Sequence, residues 1–313
     1  MRPEKPAGFP IGTAILSAIA LFSLPVFIIR YLYGLGAISN LSDGRPWGLW
    51  ISFDLYSGVA LAAGGFTLAG AVYIFNRKKY YPVVRPAILT AFLGYQLVIL
   101  ALLVDLGQPW YIWRAMINWN IHSPLFEVAV CVMTYTTVLA LEFSPAVFER
   151  LNWHIPLKVI RAIQIPLVIT GVVLSTLHQS SLGTMLLMMP ESLSALWYTP
   201  ILPLLFLLSA VAVGPAMAIF ESTLSTKVFG HKLSLDILAG LGRVIPYILG
   251  LYLLLKLVDL MVAGELGLIF SGSPYSLLWW AEITVGVILP IFLFSLPNVR
   301  QSRNLLFWTA ILV

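Results

Sequence analysis

The sequence predicts an all-α, polytopic membrane protein of about eight to nine spans with its N-terminus in the cytoplasm, and three observations predict it. Of 313 residues, 60% are hydrophobic and only 10% charged, where a soluble domain averages about 25% charged. Apolar runs of the roughly 20 residues needed to cross a bilayer recur along the whole chain. Lys and Arg collect on alternate connections between those runs, as topology signals do. The net charge of +5 could suggest nucleic acid, but the cations are scattered among apolar segments, so the partner expected is membrane lipid and not nucleic acid. The one cysteine, Cys131, excludes an intramolecular disulfide and a self-contained iron–sulfur cluster, which needs about four thiolates.

The elements follow in order, as one integral membrane domain over residues 1–313. The first run, near 10–32, is too long for a signal-peptide core of ~7–15 residues and continues into Arg30-Tyr31-Leu32-Tyr33 without a small-x-small cleavage site. The second, near 50–75, carries Gly58, Ala62, Gly65 and Ala69, a small-residue face suited to close helix packing. The third, 86–105, has Tyr95 at mid-depth and ends at Asp105; the fourth, 124–144, opens near Glu127 and holds Glu142 towards its inner end. The fifth, 156–178, stacks Gln164, Gly171, Ser175 and His178 on one face. Pro166 near its inner end would loosen the helix. That stripe reads either as a cavity lining ending at His178 or as a hydrogen-bonded seam between helices. The sixth, 198–222, places Glu221 at its inner end. The seventh, 237–262, puts Lys256 and Asp259 three apart, the spacing of a helical ion pair. Its Arg243, a turn from Tyr247, reads either as a functional group or as a cation that snorkels inward. The eighth is 276–297. A ninth run begins near 304 and stops at Val313, too short to cross alone, which leads us to expect a truncated C-terminus.

Orientation rests on charge. Arg2, Lys5, Arg77, Lys78, Lys79, Arg85, Arg150, Lys158, Arg161, Lys227, Lys232, Arg300 and Arg303 fall on one side, against Arg30, Arg45 and Arg114 on the other. That asymmetry places the N-terminus inside. Tryptophan runs the other way: Trp47, Trp50, Trp110, Trp113, Trp119, Trp197, Trp279 and Trp280 map to the outer side, leaving Trp153 and Trp308 inside.

An ionisable residue at bilayer depth costs roughly 2.5–3.5 kcal/mol on insertion scales and usually faces a bundle interior. Asp54, Asp105, Glu127 and His178 reach similar depth on the outer half. Asp105 reads as a helix end near water; Asp54, Glu127 and His178 read as a site. Tyr95, Glu142 and Glu221, with Glu127, Thr134 and Glu142 on a common side of the fourth run, sketch a polar route from the cytoplasm towards that cluster. Only His178 among the histidines falls at membrane depth, and no CxxCH, P-loop, GxGxxG or metal-ligand spacing occurs. We therefore expect no haem or other resident redox cofactor, with electron chemistry left to a diffusible membrane carrier and a partner's metal centres.

Several segments carry a family resemblance. Gly44-Arg45-Pro46-Trp47-Gly48-Leu49-Trp50-Ile51, Phe53-Asp54-Leu55 and Gly58 to Phe66 resemble the NrfD/PsrC family of quinone-interacting membrane subunits, as do Asp105-Leu106-Gly107-Gln108-Pro109-Trp110, Leu177 to Gly183, and Gly214-Pro215 ahead of Phe220-Glu221. The likeness is greatest to its HybB branch, the membrane subunits of periplasmic nickel–iron hydrogenases. The resemblance implies two four-helix bundles in the bacterial inner membrane. It also implies a quinone (menaquinone or ubiquinone) bound near the periplasmic side, and electrons from a periplasmic four-cluster ferredoxin-like subunit attached to a catalytic subunit such as a hydrogenase. On that reading Tyr95, Glu127, Glu142, His178 and Glu221 move protons, and Asp54, Glu127, His178 and Arg114 form the quinone pocket. A proton-coupled secondary transporter and a passive membrane anchor stay open as alternatives.

Overall fold

In hydrocarbon a backbone has no water to bond, so each apolar run must close its own hydrogen bonds as a helix. The computed structural model describes residues 11–42, 48–62, 64–190, 193–230 and 233–313, and among them there is no strand. Arg2, Lys5, Arg45, Trp47, His231 and Lys232 lie outside the described residues. Among the described residues eight helices are long and apolar enough to cross a membrane. We name the helices α1 (Ile11–Tyr33), α2 (Leu49–Ile74), α3 (Tyr81–Asp105), α4 (Pro124–Arg150), α5 (His154–Ala162), α6 (Gln164–Leu187), α7 (Leu202–Phe229), α8 (Leu235–Ala263), α9 (Pro274–Ser295) and α10 (Arg303–Leu312). Prolines begin α4 and α9, where a missing N–H costs nothing, and left-handed Gly230 and Gly264 close α7 and α8.

Packing sorts these helices into two groups of four. In the first, α2 packs on α3, α3 on α4, and α4 on α6; in the second, α7 packs on α8 and α10, and α9 on both α8 and α10. The short ninth run is thus the fourth member of the second bundle. The connections rich in Lys and Arg gather at one end, called here the basic end, and most tryptophans at the other, the aromatic end.

Missing side chains make the seams. Gly65 lies so near α3 that an added Cβ would stand 2.6 Å from the Ala91 Cβ, and one on Gly94 would stand 3.2 Å from that of Ala62. The small-residue face of α2 therefore packs on α3, as its spacing predicts. The bundles are joined by the same device. A Cβ on Gly214 of α7 would meet Thr67 Oγ1 at 2.3 Å, and one on Gly183 of α6 would meet the Pro203 backbone at 2.6 Å. Close approach of this kind replaces the hydrophobic effect as the cause of association in lipid.

Three expectations need correction. The fifth span runs over Gln164–Leu187, not 156–178. Residues 154–162 are the separate α5, with Ile160 buried and Lys158 and Arg161 turned away from the core. Beyond His178 the helix continues, with Ser180 and Ser181 donating to the Leu177 carbonyl and Thr184 to that of Ser180. His178 therefore lies inside α6, and Pro166 stands in its first turn, where it disturbs no ladder bond. Lys256 does not pair with Asp259. It reaches Glu282 of α9 at 2.7 Å, while Asp259 accepts a hydrogen bond from Thr199 at 2.6 Å. Arg30, read as an outer topology charge, is buried, and its guanidinium donates to the Val104 and Leu106 carbonyls at the end of α3. It is the single buried residue of α1, which stands outside both bundles. Arg243 and Tyr247 sit on the outward face of α8.

Candidate functional site

The first bundle buries a polar core. Tyr95 of α3 and His178 of α6 are 1% and 0% exposed, and the Tyr95 hydroxyl lies 2.9 Å from His178 Nδ1. With Tyr95 donating, Nδ1 accepts and the ring proton sits on Nε2. That second nitrogen is buried without a partner among the described residues. The Tyr135 ring of α4 packs edge-on against Tyr95 with centroids 4.8 Å apart, so the phenol cannot swing away. Ser175, one turn before His178, lies beside both tyrosine hydroxyls. Its Oγ and the Tyr135 hydroxyl are likewise buried and unpartnered among the described residues. Buried polar atoms are nearly always satisfied in native proteins, by protein groups or by ordered water, so a cluster of them calls for an explanation.

Below this core lies Glu142. Gly171 of α6 makes room for it: an added Cβ there would contact Glu142 Oε1 at 3.4 Å and the Tyr135 ring at 3.6 Å. The polar stripe on α6 faces inward, as its spacing predicts, and ends on a cavity of about 290 Å³ at the basic end. Tyr73, Arg85, Glu142, Arg161 and Gln164 are among its lining residues. Gln164 donates to the Tyr73 hydroxyl at 2.8 Å, and Glu149 receives Arg85 at 3.1 Å and Arg161 at 2.7 Å beside it. The groups thus run from the cavity through Glu142, Tyr135 and Ser175 to Tyr95 and His178.

The other candidates stand apart from that line. Asp54 is buried in a π-helical stretch of α2, Ser52–Gly58, near Asp105, and its Oδ2 has no partner among the described residues. Gln179 ties α6 to the turn of α2 that follows this stretch by donating to the Val59 carbonyl at 3.4 Å. Glu127 is exposed in the first turn of α4, on the face that continues to Cys131 and Tyr135, and makes no hydrogen bond to His178. Arg114 is exposed on the 3₁₀ segment Pro109–Met116, its guanidinium 3.6 Å from the Tyr111 ring centroid. Glu221 of α7 lies beside Thr90 of α3. Thr134 turns outward, and Tyr135 takes the inward place. Seven residues return a helix to within about 20° of the same face, so Tyr135 shares one with Glu142 where Thr134 does not.

Two groups escaped sequence reasoning. Tyr135 carried a usable signal, since it lies one heptad from Glu142. Glu282 carried a weaker one, an acid within the eighth span. It collects Trp197 Nε1 at 2.6 Å, the Tyr252 hydroxyl at 3.1 Å and Lys256 at 2.7 Å, in the second bundle and well away in sequence.

Against this geometry, likeness to known proteins can be weighed. Over 300 residues the chain is 41% identical to a protein of Nitratidesulfovibrio vulgaris, covering 93% of this chain and 76% of that one. It is 35% identical over 314 residues to the probable Ni/Fe-hydrogenase 2 b-type cytochrome subunit of Escherichia coli, covering 96% and 80%. It is 33% identical over 308 residues to the menaquinone reductase integral membrane subunit of Nitratidesulfovibrio vulgaris, covering 89% and 71%. The family described as polysulphide reductase, NrfD, matches residues 37–313, which takes in both bundles and every group from Glu142 to His178. With eight apolar helices, two bundles and that match in agreement, the chain is a multi-pass integral membrane protein that belongs to the NrfD family.

Proposed function

We propose that the chain is the quinone-reactive membrane subunit of a respiratory oxidoreductase in the bacterial inner membrane. It would exchange electrons between a periplasmic iron–sulfur partner and the quinone pool. The observation that carries this reading is the His178 Nε2, buried without a partner beside a tyrosine that fixes its other nitrogen. Such a nitrogen is suited to donate to a quinone carbonyl oxygen. Reducing a quinone to a quinol takes two electrons and two protons, so the site needs an exchangeable proton at that atom. A neutral imidazole can give a proton from one ring nitrogen while it takes one at the other. Tyr95 positions the ring and passes a proton to Nδ1 as Nε2 gives up its own, so the imidazole is not left anionic. Ser175, Tyr135 and Glu142 resupply the proton from the cavity at the basic end, and Glu221 beside Thr90 is a second entry from that end.

Asp54, Glu127 and Arg114 belong to the aromatic end, where the partner docks and the quinone carbonyl is approached. Electrons come from the partner's clusters, because a lone cysteine supplies no cluster. The name of the Escherichia coli relative supports a hydrogenase as the catalytic partner, and that of the menaquinone reductase subunit supports menaquinone as the substrate. The former name also raises haem. Among the described residues a two-histidine haem finds no second axial ligand: His178 alone lies inside a span, and His122 and His154 are exposed outside the spans. No step is routed through haem.

The line of groups from the cavity to His178 further supports uptake of protons from the basic end, which would couple electron flow to charge separation. The test is quinone reduction by the whole complex in proteoliposomes, with and without a proton gradient. We expect His178→Gln to abolish quinone turnover while the partner still reduces an artificial acceptor. Normal quinone reduction by that variant would leave the chain a passive anchor. Indifference of the native rate to the gradient would remove the coupling.

A further inference from the structure

A second concavity, of about 800 Å³, lies where the two bundles meet at the basic end and plays no part in the proton line. Its walls are apolar and come from both bundles, with Phe66 of α2, Val172 of α6, Val211 of α7 and Leu241, Val244 and Ile248 of α8. Its rim is different. Arg77, Lys78 and Lys79 follow the end of α2 and all line the same concavity; all three are exposed. No carboxylate lines it among the described residues, and no described ion pair or hydrogen bond uses these three side chains. The contrast with Arg85 and Arg161, at the neighbouring cavity, is direct: both of those are spent on Glu149.

The backbone holds the rim in place. Asn76 takes a left-handed conformation at φ 54°, which turns the chain sharply at the end of α2. Tyr80 then reaches across to α8, where Gly240 leaves it room: an added Cβ there would stand 2.5 Å from the Tyr80 hydroxyl. Tyr80 thus spans the seam at the level of the cations. An apolar cleft open to hydrocarbon, roofed at headgroup height by three cations without a partner among the described residues, matches one kind of molecule in its surroundings. Basic pockets between transmembrane helices hold anionic lipid headgroups, each Lys or Arg near the surface adding to the attraction.

We propose that this cleft is a binding site for an anionic phospholipid, its acyl chains between α2, α6, α7 and α8 and its phosphate at Arg77, Lys78 and Lys79. The lipid would seal the seam between the bundles from the leaflet at the basic end.

The experiment is native mass spectrometry of the delipidated protein in detergent, titrated separately with phosphatidylglycerol, phosphatidylcholine and inorganic phosphate. Thermal stability is followed on the same samples. Phosphatidylglycerol is expected to be retained and to raise the melting temperature, with phosphatidylcholine retained at least tenfold less. Replacing Arg77, Lys78 and Lys79 together by Gln should weaken phosphatidylglycerol retention by about a hundredfold, the effect of three surface cations. A second variant, Val244→Trp, fills the cleft and leaves the cations untouched; it should lose the lipid while keeping its lipid-free melting temperature. Equal retention of the two lipids, or retention unchanged in Val244→Trp, overturns the proposal. So does inorganic phosphate stabilising the protein as well as phosphatidylglycerol does, since the cations would then be a bare anion site.

Discussion

Tyr95→Phe removes one oxygen from a fully buried ring and nothing else. The ring keeps its edge-on contact with Tyr135, so neither cavity nor clash is introduced. What is lost is the 2.9 Å contact with His178 Nδ1. Nε2 is already without a partner among the described residues, so the substitution leaves the whole imidazole unpaired at 0% exposure. Stranding one buried polar atom costs about 1–3 kcal/mol. The folded protein should lose that much stability, seen as a lower melting temperature of the detergent-purified chain. Turnover with quinone should fall by about ten- to a hundredfold, in kcat more than in KM, because the hydroxyl orients and reprotonates the imidazole and does not bind substrate. Tyr135→Phe is the control for stability. Its hydroxyl has no described partner, so removing it should leave the melting temperature unchanged or slightly higher. Equal melting temperatures for the two variants, or full turnover by Tyr95→Phe, would refute the idea that Tyr95 fixes the imidazole.

Glu142→Gln keeps the shape of the side chain against Gly171 but cannot carry a proton. We expect proteoliposome quinone reduction at least tenfold slower, with Glu142→Asp recovering part of it and electron transfer to an artificial acceptor unaffected. In the second bundle, Glu282→Gln strands Lys256, which is 3% exposed. Breaking a buried pair costs about 3–5 kcal/mol, and the partial exposure of Glu282 favours the lower figure. A double-mutant cycle with Lys256→Met should give a coupling of about 1–3 kcal/mol in melting experiments, and additivity would mean that the pair contributes nothing. Gly183→Val drives a side chain into the Pro203 backbone, which cannot yield, so the chain should fail to elute as a single species from a sizing column. Gly250→Ala meets no atom within 4 Å and should stabilise α8 by about 0.5–1 kcal/mol.

Composition and hydropathy by themselves determined the helical class, the number of spans and the alternation of basic and aromatic ends, because a bilayer imposes length, polarity and charge on each segment separately. The inward stripe of α6 and the small-residue face of α2 were legible for the same reason: helical period fixes which residues share a face. The residues that face across from them were not. That Tyr95 meets His178, that Tyr135 and not Thr134 stands beside Glu142's line, and that Lys256 takes Glu282 over Asp259 depend on how separate helices rotate and slide against each other. In lipid those rotations are set by the closest backbone approaches, at Gly65, Gly183 and Gly214, and only the packed bundle selects among them. The extent of α6 was decided in the same way, since the hydroxyls beyond His178 bond back to carbonyls of the preceding turn and the helix runs on to Leu187, which carries His178 into the interior.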